Sequence, residues 1–205
     1  MIRTTLEFIQ KELEAFIVER EQDPAHYNAG QVVDMNSIVS PGGEVNLDDN
    51  FHITIMLAGI EEERREGKRP RIIEREDRQF LRLNPPVELD LFILFVAHQT
   101  NYETALRDLS DVISFFQANP VFDEQRFPAL NSTASDSGNK PWRLIEKLVF
   151  NLYSLSFEQQ NNLWAMLGSK YIPSVVYKMK MLTVFETRSK ERAIPITELG
   201  FDESR

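Results

Sequence analysis

Cysteine is absent from this chain of 205 residues, and with it go disulfide frameworks, thiolate nucleophiles and thiolate metal sites. Basic residues are outnumbered: 32 acidic side chains stand against 23 basic ones, a formal net charge of -9. A long-range field that would draw in a phosphate backbone is therefore missing, and nucleic acid is not expected as a partner. The first stretch, "MIRTTLEFIQKELEAFIVERE", carries charges throughout and lacks an apolar run of the length a signal h-region or a membrane span needs. A soluble protein made in the cytoplasm, with no membrane partner, is the expectation.

Motifs for chemistry are also missing. His26, His52 and His98 are far apart, and no His-x-x-x-His pair sits on a helical pattern, so no metal site is expected. Pro41-Gly42-Gly43 is not followed by the Lys-Ser/Thr of a phosphate-binding loop and reads as a turn. No serine stands in Gly-x-Ser-x-Gly, and none has a histidine and an acid at a recognisable spacing. The carboxylates Glu61, Glu62, Glu63, Glu66, Glu74, Glu76 and Asp77 are interleaved with arginines in a stretch expected to be solvated, where tuning of a catalytic acid is weak. No catalytic residue and no cofactor are expected.

What is present is the material of one α+β domain. With 42% hydrophobic and 10% aromatic residues the chain can bury a core. Ile2, Leu6, Ile9, Leu13, Phe16 and Ile17 recur at helical spacing until Asp23-Pro24, which predicts a first long helix. Two strand-like runs follow, "QVVDMNSIV" and "NFHITIMLAGIE", and in the second Phe51, Ile53, Ile55 and Leu57 alternate onto one face. After Pro85-Pro86, "VELDLFILFVAHQ" is apolar without a break from Leu91 to Ala97, as a strand covered on both faces is, and residues 89–96 are predicted as the central strand. Thr100 and Glu103 have capping-box spacing before a stripe of Tyr102, Ala105, Leu106, Leu109, Val112, Ile113 and Phe116, a second long helix expected to cover that strand with the first.

"WRLIEKLVFNLYSL" alternates Leu144, Glu146, Leu148, Phe150 and Leu152 onto one face of a strand. Ser156 with Gln159 repeats the capping-box spacing, Gly168 is a helix stop, and a last strand runs from Val175 to about Phe185. Between helix and strand, Lys170 and Tyr171 shape a turn before Pro173; Trp164, Tyr171 and Pro173 are structural anchors in this reading. Lys178 and Lys180 share one face of the last strand, where lysines discourage pairing with strangers.

Residues 61–82 hold both signs of charge, including Arg64, Arg65, Arg69, Arg71 and Arg75, punctuated by Ile72, Ile73 and Phe80, which reads as an exposed arm with apolar studs. Residues 128–141, polar and small, read as a flexible loop. The domain is expected to span residues 1–185. The tail, residues 186–205, holds Ile194, Ile196, Leu199 and Phe201 among polar residues and reads as a docking segment. Arm and tail are the expected interface segments.

"PPVELDLFILFVAHQTNYETALRDLSDVISFFQANPVF" and "LSFEQQNNLWAMLGSKYIPSVVYKMKMLTV" resemble a family that includes the cap, or tail-terminator, proteins of phage-tail-like extracellular contractile injection systems. The markers are Pro-Pro followed by a strand, Ser114-Phe115-Phe116-Gln117 with Asn119-Pro120-Val121-Phe122, and Leu163-Trp164 with Gly168, Lys170, Tyr171, Pro173 and Ser174. The resemblance implies a mixed or antiparallel sheet packed against two long helices and one short one. It also implies a non-enzymatic protein that forms a sixfold ring on the distal end of the inner tube and contractile sheath and ends their polymerisation. Its partners would be copies of itself, the sheath protein and the tube protein, within a particle that is released or retained in the cell. The alternative from another class is an enzyme whose site is assembled only between subunits.

Overall fold

A computed structural model describes residues 2–63, 72–74, 80–82, 87–132, 145–183 and 191–193. The chain runs through helix α1 (Ile2–Glu21), strands β1 (Val33–Met35), β2 (Ile53–Glu62), β3 (Ile72–Glu74), β4 (Phe80–Arg82) and β5 (Val87–Ala97), and helix α2 (Tyr102–Ala118). Strand β6 (Val121–Asp123), helix α3 (Ala129–Ser132), strand β7 (Ile145–Tyr153), helix α4 (Phe157–Leu167) and strands β8 (Ser174–Thr183) and β9 (Glu191–Ala193) follow. Six strands form one sheet in the order β1-β2-β5-β8-β7-β6, in which β1 is parallel to β2 and every other pair is antiparallel. The sheet is therefore mixed.

Strand β5 lies inside this sheet, and its uninterrupted apolar run splits by the two-residue period into two cores. Leu91, Ile93 and Phe95 point into the larger one, with Leu6, Phe8, Ile9, Leu13 and Ile17 of α1 and Val112, Phe115 and Phe116 of α2. Leu94 and Val96 point into a smaller one with Ile38, Val176 and Trp164 of α4. Both long helices thus cover the same face of the central strand. The second face is closed by α4 and by the segment holding Ile38, Val39 and Leu47, a covering that the sequence pattern does not assign.

Helix α2 starts one residue later than the capping-box spacing suggests. Asn101 is the cap: its side chain accepts a hydrogen bond of 2.9 Å from the Glu103 backbone N–H, and asparagine serves this position as well as threonine. The buried stripe is rotated as well. Ala105, Asp108, Asp111, Val112, Phe115 and Phe116 face inward, whereas Tyr102, Leu106 and Ile113 of the expected stripe are exposed. At α4 the local signals hold in full. Ser156 accepts from the Gln159 N–H at 3.2 Å, Gln159 Oε1 accepts from the Ser156 N–H at 2.9 Å, and Gly168 ends the helix at φ 66°.

Two further differences have local causes. A register shift between Ile145 and Lys147 reverses the alternation of β7, so Ile145 joins Leu148 and Phe150 in the core although simple alternation puts it on the other face. The polar segment after Pro128 begins with a helical turn, because Leu130 is inserted into the main core. The remainder of that expected loop, residues 133–141, lies outside the described residues.

Candidate functional site

The segments expected to carry contacts are brought together in part. Strands β3, β4 and β9 form a second, three-stranded sheet, with Ile72 opposite Arg82, Glu74 opposite Phe80, and Phe80 opposite Ala193. Arm and tail are thereby joined through the backbone within one chain, which their separation in sequence conceals. Arg64, Arg65, Arg69, Arg71, Arg75, Ile194, Ile196, Leu199 and Phe201 lie outside the described residues.

The three anchors behave differently. Trp164 is 4% exposed and packs in the smaller core. Tyr171 is 59% exposed, its ring set edge-on to Trp164 with centroids 6.0 Å apart. The Pro173 carbonyl accepts from the Ala97 N–H at 3.0 Å and ties the turn to the end of β5. The lysines of β8 do not guard an edge, because β8 lies between β5 and β7. Lys178 pairs with the buried Asp90 at 2.6 Å and Lys180 with Glu63 at 3.2 Å.

One histidine, His52, lies in a set of mutually bonded, buried polar groups, which also meets the backbone of His26. Asp108 is fully buried on α2; its Oδ1 accepts from the Tyr27 hydroxyl at 2.9 Å and its Oδ2 faces His52 Nδ1 at 3.3 Å. His52 Nε2 faces the His26 carbonyl oxygen at 2.9 Å. Both ring nitrogens therefore face oxygen atoms, an arrangement that favours the doubly protonated imidazolium. The hydrogen bond to Asp108, opposed by burial, raises the His52 pKa. His98 donates to or accepts from Thr54 Oγ1 at 3.0 Å, and burial lowers its pKa. Every group of the Tyr27-Asp108-His52 set is engaged with another, so the set is a clasp joining α2 to the segments that follow α1 and precede β2. No group of three or more potential metal-binding side chains occurs among the described residues, and no helix there is long and apolar enough to cross a membrane.

A second buried acid, Asp111, lies one turn further along α2 with Arg20 Nε 3.1 Å from its Oδ1. Burial first, then the neighbouring Glu21 carboxylate, move its pKa from 3.8 to about 6 against the pull of Arg20. An acid raised on folding contributes stability that is fully present below its unfolded pKa and is lost as pH rises through its folded one. The change corresponds to about 3 kcal/mol. Asp111→Asn should therefore match the parent stability near pH 4 and exceed it by about 2–3 kcal/mol above pH 7. Urea unfolding of both chains across that range checks it; a pH-independent difference contradicts it.

Among the described residues, exposed apolar side chains stand on a helix on each side of the sheet. On α2, Tyr102, Leu106 and Ile113 follow one stripe, with Leu109 half-buried between them. On the other side Phe157, 93% exposed, and Met166, 69% exposed, stand on α4. A groove of about 320 Å³ near the start of α2 is lined by His98, Tyr102 and Ile172 among others. A larger one of about 490 Å³ runs between Phe157, Trp164 and Tyr171. The sequence does hold a signal for the second surface: residues 151–169 contain a single charged residue, Glu158, in a chain of which 27% is charged.

The family described as the Pvc16 N-terminal domain matches residues 4–198. Among solved structures, the cryo-EM structure of the anti-feeding prophage cap, an AFP tube-terminating cap, is 12% identical with a TM-score of 0.53, over 90% of this chain and 58% of that one. The PVC sheath/tube terminator of an extracellular contractile injection system, in the extended state, is 13% identical with a TM-score of 0.53, over 94% of this chain and 63% of that one. The chain thus spans less than two thirds of either solved chain, and at these identities the likeness is one of fold. No curated protein matches.

Proposed function

As the chain belongs to the Pvc16 N-terminal domain family, we propose that it is a structural cap that ends polymerisation of the tube and sheath of a contractile injection system. The observation that carries this reading is the family match over residues 4–198, which takes in both cores and both long helices. The two solved chains of like fold are described as a tube-terminating cap and a sheath/tube terminator, which supports it.

A cap works by binding. A growing end exposes unpaired strand groups and subunit surfaces, and a ring that covers them removes the template for the next subunit. In this proposal the partners are the sheath and tube proteins and further copies of the chain in a sixfold ring, within the assembled particle. The small β3-β4-β9 sheet, which combines arm and tail, is the proposed sheath-facing or intersubunit element.

Electron micrographs of particles assembled with and without the chain test this. With it, particle lengths should fall in a narrow band with closed ends; without it, sheath and tube should run on or fail to hold together. Equal length distributions in the two preparations would overturn the reading.

A further inference from the structure

We infer that the α4 face of one copy packs against the outer stripe of α2 in a second copy, head to tail. This deepens the cap reading and rests on it, because it assigns the contact that would build the ring.

Copies of a chain with net charge -9 repel one another. They meet at least electrostatic cost where the surface carries fewest charges. Residues 151–169 supply such a surface with Glu158 as its one charged group. Exposed there, among serines and Glu158, are Leu152, Phe157, Asn161, Asn162 and Met166, with Lys170 and Tyr171 beside them, so that the face carries one charge of each sign. Enrichment in aromatics and Met with depletion of charge is the composition of an interface centre rather than of open surface. The Trp164 indole N–H, behind this face, has no acceptor among the described residues.

The outer face of α2 is equally close to neutral. Its exposed charges are Glu103 and Arg107, one of each sign, because its two aspartates are turned inward. Its serines are already satisfied: the Ser110 hydroxyl donates to the Leu106 carbonyl at 2.7 Å and the Ser114 hydroxyl to the Ser110 carbonyl at 2.8 Å. Covering this face therefore strands neither serine hydroxyl. A face made of Tyr102, Leu106 and Ile113 can be desolvated at little polar cost.

The placement selects the symmetry. The α2 stripe and the α4 face lie on opposite sides of the sheet, since α2 packs on the Leu91, Ile93 and Phe95 side and α4 on the Leu94 and Val96 side. A contact between two different patches of one chain is heterologous and propagates from copy to copy, closing into a ring where the rotation between copies completes a turn. Two such patches, both apolar and both near neutral on an acidic chain, are what a ring of identical subunits requires.

The absence of cysteine makes the test clean, because any thiol introduced is the only one. Leu106→Cys and Met166→Cys are prepared singly and together and treated with a short bismaleimide. The expected result is a covalent dimer when the two single variants are mixed, none from either alone, and a ladder of multimers from the double variant. Dimers from a single variant alone would show a two-fold contact, and a mixture that stays uncross-linked would show no contact; either overturns the inference. Particle length is scored separately. Control of length without cross-links refutes only this contact, whereas cross-links with unchanged lengths refute the cap reading and leave the contact standing.

Discussion

Phe116→Ala should lower the stability of the fold by about 4 kcal/mol, in the range found for buried phenylalanine truncations. For a chain of this size that is a fall in melting temperature on the order of 10 °C. Phe116 is 3% exposed on α2 and lies at the meeting point of the helices and the sheet. Its ring is stacked on Phe150 of β7 at 4.4 Å, tilted against Tyr177 of β8 at 4.4 Å, and edge-on to Phe95 of β5 at 5.3 Å and Phe115 at 4.9 Å. Alanine removes all of these contacts at once and leaves a cavity walled by rings from three strands, which cannot collapse inward together. Phe116→Leu, which retains most of the volume, should cost less than half as much. Calorimetry of the two variants decides it, and a loss under about 1 kcal/mol for the alanine variant would mean that the cluster closes over the gap.

The second large effect concerns the clasp. Asp108→Ala removes the acceptor of the Tyr27 hydroxyl and the partner of His52 together, in a buried site. Breaking a buried pair by deleting one member costs about 3–5 kcal/mol, because the other is left desolvated and unpaired. In the parent chain His52 has a raised pKa, so its contribution is fully present below the unfolded value of 6.5 and is lost as pH rises through the folded one. The alanine variant should lose that contribution, so the destabilisation measured at pH 5.5 should exceed that at pH 8. His52→Ala combined with Asp108→Ala should cost clearly less than the two single changes added, since they share one interaction. Strict additivity in a double-mutant cycle would show that the two groups do not act together.

The clasp also marks where local pattern stops informing. Helix α4 is readable residue by residue, because a capping box and a left-handed glycine are settled by groups within three or four positions of one another. Helix α1 and the central strand β5 are readable because their apolar periods are long and unambiguous. The face of α2 is not. An apolar stripe drawn from hydrophobicity alone takes in Leu106 and Ile113 and leaves out Asp108 and Asp111, whereas the fold buries the two aspartates and exposes the leucine and isoleucine. The partners that make this tolerable, Tyr27, His52 and Arg20, stand 81, 56 and 91 positions from the acids they meet. No window on the sequence contains both ends.

The interface readings divide in the same way. The mixed charge of residues 61–82 is visible in composition, but its pairing with the tail through β4 and β9 is not, since backbone pairing of two short strands carries no period. The neutral, Met- and aromatic-bearing face of α4 was open to a count of charges along residues 151–169, yet capping signals and the buried Trp164 make that stretch look like scaffold.

By itself the sequence determined helices α1, α2 and α4, the long strands, the central strand among them, the absence of cysteine chemistry and the acidic balance, because each is a property of composition or of neighbours a few residues apart. Only the tertiary structure decided that both long helices share one face, that two aspartates lie inside and two aliphatic residues outside, and that arm and tail meet. Burial depends on which surfaces remain after distant segments have packed, and a charge can be placed inside only where a remote group arrives to compensate it.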